Sequence, residues 1–373
     1  MSPKHQKNIS RLQKGGKMPA IIPLLIFCTS FLLVSMDFTK IHRIYKEYIF
    51  NIFCFVLIFI ASSKTTSTSY DTNNYVLLYE SVSSIKHFVP YVLGYEPGWE
   101  LICILCNMLG LSYHIYFIIL SVVVICIYRY VILKNCRNIF IALFTYVSCF
   151  YFLNEIIVLR HGLASALIFL ESYFLAEHKN RKAFLCVILA FSVHTVAIFG
   201  LIPFAIKNEK ISTKFFILIP FAFLLSDRIF LYLLPIIAQA TDSSLIRMVS
   251  AKMENYLKGE LSAGGIKTVI VYSISLLLTF VILHNDKRKN TFLRENSLFI
   301  ILSAYFMIAF STIASFGRIN QIFLTGNIAL SSFYLDEFKR KRTEIIIIPV
   351  FLAVNTYIFL RQNFFNSGGN IFY

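Results

Sequence analysis

The sequence predicts an all-α, polytopic membrane protein. Three observations carry that expectation. Of the 373 residues 57% are hydrophobic and 14% charged, and the mean hydropathy is +0.70; a soluble domain carries about 25% charged residues. Solid apolar runs long enough to cross a hydrocarbon core recur along the whole chain. Basic residues gather in the short loops between those runs. A β-barrel is disfavoured, because the runs are continuous rather than alternating.

The runs, in order, are 20–36, 47–63, 112–133, 139–157, 160–177, 183–206, 215–238, 266–283, 296–315, 319–335 and 345–361. Six loops hold most of the Lys and Arg that follow Met18: 37–46, 134–138, 178–182, 207–214, 284–295 and 336–344. These are assigned to the cytoplasm. Loops 178–182 and 207–214 then flank a single run, so the parity of the topology fails at 183–206. A re-entrant or broken helix with His194 near its tip restores it, since non-helical backbone at that depth is tolerated inside protein or beside water. A simple span at 183–206, with 215–238 broken at Asp227-Arg228, restores it equally. The first solution predicts about ten transmembrane helices with both ends outside.

Residues 1–17 are polar and basic, and the string Lys14-Gly15-Gly16-Lys17-Met18 can be encoded by a purine-rich ribosome-binding run before ATG. The expectation is that Met18 is the start, residues 1–17 a dispensable extension, and 18–373 a single integral membrane domain. A cytoplasmic tail is the other reading. The net charge of +16 is accounted for by topology and calls for no nucleic acid. Eight cysteines lie mostly inside apolar runs. Cys103 and Cys106 form a lone C-x-x-C with no second pair, which favours packing over metal or redox chemistry. No nucleotide, zinc or nucleophile-elbow motif appears, so no cofactor and no metal are expected.

The stretch from Asn154 to Pro203 is the one the chain is organised around. Arg160 and His161 open an apolar run of small residues, a basic turn follows, and His194 sits in the middle of the next run. Ionisable groups in such places are expensive and mark function by default. Three regions face outside under this topology: 64–111, the turn at Arg160, and 239–265, with Arg318 at a further outer turn. Within 64–111, residues 97–111 read as an interfacial helix anchored by Trp99 and neighbouring tyrosines.

Five short elements in order resemble the EpsG-like branch of the Wzy-type polysaccharide polymerases, bacterial membrane proteins that make O-antigen, capsule or exopolysaccharide. They are Asp71-Thr72-Asn73-Asn74-Tyr75, Glu96-Pro97-Gly98-Trp99, Arg160-His161-Gly162-Leu163-Ala164, Leu189-Ala190-Phe191-Ser192-Val193-His194, and the late Arg318. The chain departs from the family pattern in His161, where Gln is common, and in Val193, where Phe is usual. The resemblance implies a multi-pass protein of the cytoplasmic membrane. It would join oligosaccharide repeat units carried on undecaprenyl pyrophosphate, with a flippase and a chain-length regulator as partners.

That chemistry needs a carboxylate to accept a hydroxyl proton, cations for the departing pyrophosphate, and an apolar groove for the lipid tails. The expected catalytic residues are Asp71, Glu96 and His194. Arg160, Arg318, His161, Tyr75, Glu100 and Arg247 are the expected substrate-binding residues. Arginine suits the pyrophosphate because its planar fork takes two oxygens and stays charged. Each has a plainer role to set beside this one. Asp71 suits an Asx turn. Glu96 and Glu100 suit the N-terminus of the interfacial helix. Arg160 and Arg318 could serve topology, Arg247 a solvated face, and His194 the broken backbone around it. His161 and Glu155 are lesser candidates. A flippase would show more spans and two related halves, and none are evident. A membrane acyltransferase would need its histidine on the cytoplasmic side. A structural subunit would not need the outer Arg and Asp residues.

Overall fold

A computed structural model describes residues 21–65, 68–82, 95–206, 279, 290–309, 316–339 and 344–360. Among them every regular element is helical. In chain order these are α1 (Ile21–Val34, continued by a 3-10 turn, Ser35–Phe38), α2 (Arg43–Ser62), α3 (Tyr70–Ser81), α4 (Pro97–Met108), α5 (Tyr113–Asn135) and α6 (Ile139–Tyr146). Then come a π-helical segment (Val147–Ile157), α7 (Leu159–Ala176), α8 (Asn180–Val193), a 3-10 turn (Thr195–Leu201) and α9 (Ile202–Ala205). The last four are α10 (Thr291–Ala309), α11 (Phe316–Leu324), α12 (Gly326–Lys339) and α13 (Glu344–Leu360). Residues 1–17, the expected runs at 215–238 and most of 266–283, and Arg247 lie outside the described residues.

Four segments are long and apolar enough to cross a membrane: Ile21–Phe38, Arg43–Ser62, Tyr113–Asn135 and Ile139–Ile157. They bury very different faces. On α2, Tyr48, Ile52, Phe55 and Phe59 are 65–71% exposed. Their spacing of four, three and four places them in one stripe, an apolar face suited to hydrocarbon rather than water. Ile139–Ile157, by contrast, is buried on nearly every side. It is the centre of the first compact unit, which comprises Met1–Ile198 with Ile328–Tyr373.

Hydrogen bonds and rings fix this centre. Asp37 caps the start of α6, accepting from the N–H groups of Phe140 and Ile141 at 2.9 Å each. Asn138 donates to the Ser332 carbonyl at 2.6 Å, Thr145 to the Ser331 hydroxyl at 2.9 Å, and Ser148 to Asn355 Oδ1 at 2.9 Å. These join the centre to α12 and α13. Phe27 of α1 stacks on Phe359 of α13 at 4.1 Å. Within the π segment the Val158 N–H bonds to the Leu153 carbonyl, five residues back, at 2.9 Å. The uniform run predicted at 139–157 is therefore an α-helix that widens.

α7 and α8 form a close antiparallel hairpin. His178 adopts φ +56°; its N–H bonds to the Leu175 carbonyl at 2.9 Å, and that of Lys179 to the Phe174 carbonyl at 2.8 Å. This is a Schellman stop with a histidine in the left-handed position. Ala164, Ala166, Ala183 and Ala190 are fully buried in the pair, and small side chains let helices approach closely.

The second unit, Phe199–Asn327, holds α9, α10 and α11. Phe306 of α10 meets Phe199 and Phe323 at 5.2 and 6.0 Å. The run expected at 319–335 is divided at Thr325 into α11 and α12. A Cβ added to Gly326 would come within 2.6 Å of the Asn296 carbonyl oxygen, so only glycine fits there.

Candidate functional site

The site forms where four pieces of the first unit meet: the first turns of α3 and α4, the start of α7, and the end of α8. Each is placed by local chemistry. The segment around Asp71, which suits an Asx turn on sequence, is instead helical. Ser69 caps α3 by accepting the Thr72 N–H at 3.0 Å, and Asp71 supplies a carboxylate to its first turn, where the helix dipole favours one. Tyr75 follows one turn later on the same side and is buried, its ring 5.2 Å from Trp99.

α4 begins with Pro97 at its first position, which suits the fixed φ of proline. Glu96, Gly98 and Trp99 then each have a contact of their own. Trp99 is fully buried between Tyr75 and Tyr116, 5.9 Å from the latter. Gly98 faces α8 so closely that a Cβ would collide with the Ser192 side chain and come within 2.7 Å of its carbonyl oxygen. Glu96 makes no capping bond to its own helix. Its Oε2 pairs with Arg160 Nη1 instead, and its Oε1 accepts from the backbone N–H and the hydroxyl of Thr195, both at 3.3 Å.

Arg160 is the second residue of α7. Its guanidinium lies 4.7 Å from the centre of the Tyr95 ring and 5.9 Å from that of Tyr75. Glu96 occupies one nitrogen; the buried Nε has no hydrogen-bond partner among the described residues. His161 is buried beside it and meets the His194 ring edge to face at 5.3 Å. At His194 the chain leaves helical geometry, with φ −150° and ψ 117°, and turns into the 3-10 segment. His194 Nδ1 accepts the Val196 N–H at 3.3 Å, so the imidazole also satisfies broken backbone.

Glu100 lies one turn beyond Glu96 and is buried. Burial, and secondarily the Glu96 carboxylate, hold its carboxyl above the usual range. Seven of the expected site residues thus fall in this neighbourhood: Asp71, Tyr75, Glu96, Glu100, Arg160, His161 and His194. Arg318 sits in the first turn of α11 in the second unit, its side chain outside what is described. Glu155 is held in the π segment, where Oε1 accepts from Tyr146 OH at 3.3 Å. Cys103 and Cys106 share the buried side of α4, and Cys103 bonds to Tyr116 OH at 3.4 Å. Sequence reasoning missed Tyr95 and Thr195. Tyr95 adjoins Glu96, a usable signal; Thr195 acts partly through its backbone N–H, which no residue pattern reveals.

The arrangement is a cation steered by a carboxylate and faced by two aromatic rings, with a second carboxylate, an acidic first turn and a histidine pair nearby. Such a set can hold a polyanion, present sugar rings to aromatic faces and move a proton. The model of the EpsG family matches residues 47–373, most of the chain. No curated protein and no solved structure matches it.

Proposed function

The chain belongs to the EpsG family, a Wzy-like family of polysaccharide polymerases, and on that premise we propose that it joins oligosaccharide repeat units carried on undecaprenyl pyrophosphate. The reaction takes place at the outer face of the bacterial cytoplasmic membrane, in a multi-pass protein of about ten spans with a re-entrant segment at His194. Its product is a surface polysaccharide. A hydroxyl of one unit attacks the anomeric carbon of the growing chain; a carbon–oxygen bond forms there and the bond to lipid pyrophosphate breaks.

The observation that carries this reading is the Arg160 cluster. Glu96 and the two tyrosines fix the guanidinium in direction, and the one-fifth of its side chain that stays exposed is what an incoming oxygen can reach. Arg160 binds the pyrophosphate as negative charge grows on it; Arg318 and Arg247 stay proposed as substrate-binding cations on their sequence positions alone. Asp71 accepts the proton of the attacking hydroxyl. His194 and His161 orient the acceptor or relay that proton, and Tyr75 presents a face to a sugar. Glu100 binds a sugar hydroxyl. Glu96 has its oxygens committed to Arg160 and Thr195, so its part in the reaction is to aim Arg160.

The test is deletion followed by analysis of lipid-linked and surface sugars. Single repeat units accumulating outside are expected. Units trapped on the cytoplasmic side would make the chain a flippase instead, and an unaltered polymer lacking a substituent would make it a sugar-modifying enzyme.

A further inference from the structure

Lys64 lies just past α2 and is 1% exposed. An amine so placed has lost its hydration, and burial pushes its pKa down to about 7, so its surroundings must favour the charged form if it is to stay protonated. Its Nζ donates to the backbone carbonyl of Glu155 at 2.7 Å and stands 5.1 Å from the centre of the Phe117 ring. The next carbonyl, that of Ile156, accepts from Thr72 Oγ1 at 3.2 Å.

These two carbonyls belong to the last turn of the π segment, whose final C=O groups have no partner of their own within the helix. The Leu153 carbonyl takes the Val158 N–H. The Asn154 carbonyl oxygen packs against Gly162, so closely that a Cβ there would collide with it. Two of the others, those of Glu155 and Ile156, are taken by Lys64 and Thr72. Val158, at φ −104° and ψ 65°, then breaks the chain, and α7 starts at Leu159 with Arg160 next.

We infer that Lys64, seconded by Thr72, is a positioning residue. It clamps the Glu155 and Ile156 carbonyls, keeps the π segment from running on into α7, and so sets the point at which Arg160 emerges toward Glu96. The clamp itself is conformational; its effect on catalysis rests on the polymerase reading given above. A plainer role for Lys64 is to balance the buried Glu155 charge. That role uses the carboxylate, whereas the clamp uses the backbone carbonyl, and the two separate chemically.

The experiment uses full-length protein in native membranes, without native cysteines and with Val158→Cys as a reporter at the break. Labelling by a small thiol reagent, and kcat and KM for polymerisation of purified lipid-linked repeat units, are compared across Lys64→Met, Lys64→Met with Glu155→Gln, and Thr72→Val. A hydrogen bond to a charged group contributes about 1.5–3 kcal/mol, so losing it should change the labelling rate and kcat by roughly 10- to 100-fold. KM should stay nearly unchanged, because the contact sought is with the transition state. Thr72→Val should shift both in the same direction by less. Restoration of the parent labelling and kcat in the double variant would reduce Lys64 to charge balance and overturn the clamp. Should Lys64→Met fail to accumulate, the charge-neutral double variant and Thr72→Val decide. Labelling needs no enzymatic activity: altered labelling with no polymerisation by the parent would sink the polymerase reading and leave the clamp, and unaltered labelling in every variant would overturn the clamp whatever the activity.

Discussion

At the scale of the residue, Arg160 shares its guanidinium between Glu96 and two tyrosine rings. Arg160→Lys keeps the charge and removes the planar fork, which are not equivalent at a phosphate. The expected loss is about 2–4 kcal/mol of transition-state stabilisation, roughly 30- to 1000-fold in polymerisation rate at equal membrane abundance. Polymer of full length at the parent rate would show that charge alone suffices. Glu96→Gln leaves shape and removes the counter-charge. Breaking a buried pair costs about 3–5 kcal/mol, but the Arg160 side chain is one-fifth exposed, and solvent screening lowers the expectation to about 2 kcal/mol. Thermal unfolding of detergent-purified protein measures it. Glu100 gives a pH signature. Its carboxyl is raised in the folded state, so it binds its proton more tightly folded than unfolded. The stability it contributes is complete below the unfolded value near about 4.3 and is lost as pH rises through the folded value. Glu100→Gln should therefore remove this group's share of the fall in melting temperature as pH rises above about 4.3; parallel curves for parent and variant would show that Glu100 titrates as an ordinary surface carboxyl.

At the scale of the element, Gly98 sets how closely α4 approaches α8. Gly98→Ala must push the two apart against the Ser192 backbone, drawing Glu96 from Thr195. Overpacking costs about 1–3 kcal/mol, and loss of polymer is expected to exceed what the drop in protein level explains. Comparison with Gly110→Ala separates a packing effect from a general one: Gly110 has φ +69° but nothing within 4 Å of its Cβ position. Elements differ in how well the sequence announces them. The long runs matched α1, α2, α5 and α7 within a few residues, because length and apolar content decide a span. α8 stops at His194, where parity of charge offers a break as one of two solutions. α3 was not, since Tyr70–Ser81 is largely polar and its helix rests on a serine cap and on burial of Tyr75 and Tyr79. The π segment was invisible too: in a run apolar all round, a change of helical period leaves no mark on the pattern.

At the scale of the whole molecule, topology ties the units to the bilayer. With native cysteines removed, single cysteines at Ser67, Ser262 and Phe316 should react with impermeant thiol reagent from outside, and those at Asn180 and Asn290 should not. Labelling of Asn180 from outside would invert the orientation and place the Arg160 cluster on the wrong side for a lipid-linked donor. The site itself was legible in fragments. Asp71, Glu96, Arg160 and His194 each stood out as an ionisable group in an unlikely place, but their convergence depends on a tight glycine contact and a helical hairpin that only folding supplies. That hairpin acts as a ruler. From Arg160 to Ala176 the chain descends about 24 Å, and from Asn180 to His194 it climbs back about 21 Å, so the Schellman turn at His178 sets the two histidines level from the far end of the hairpin. One residue inserted midway along α8 would carry His194 about 1.5 Å along its axis and about 100° around it, turning it from His161 although nothing near the site had changed. Gain or loss of a single codon there, or in the turn at 178–182, should therefore be as damaging as replacing the histidine, while insertions of the same length in the other basic loops pass unnoticed.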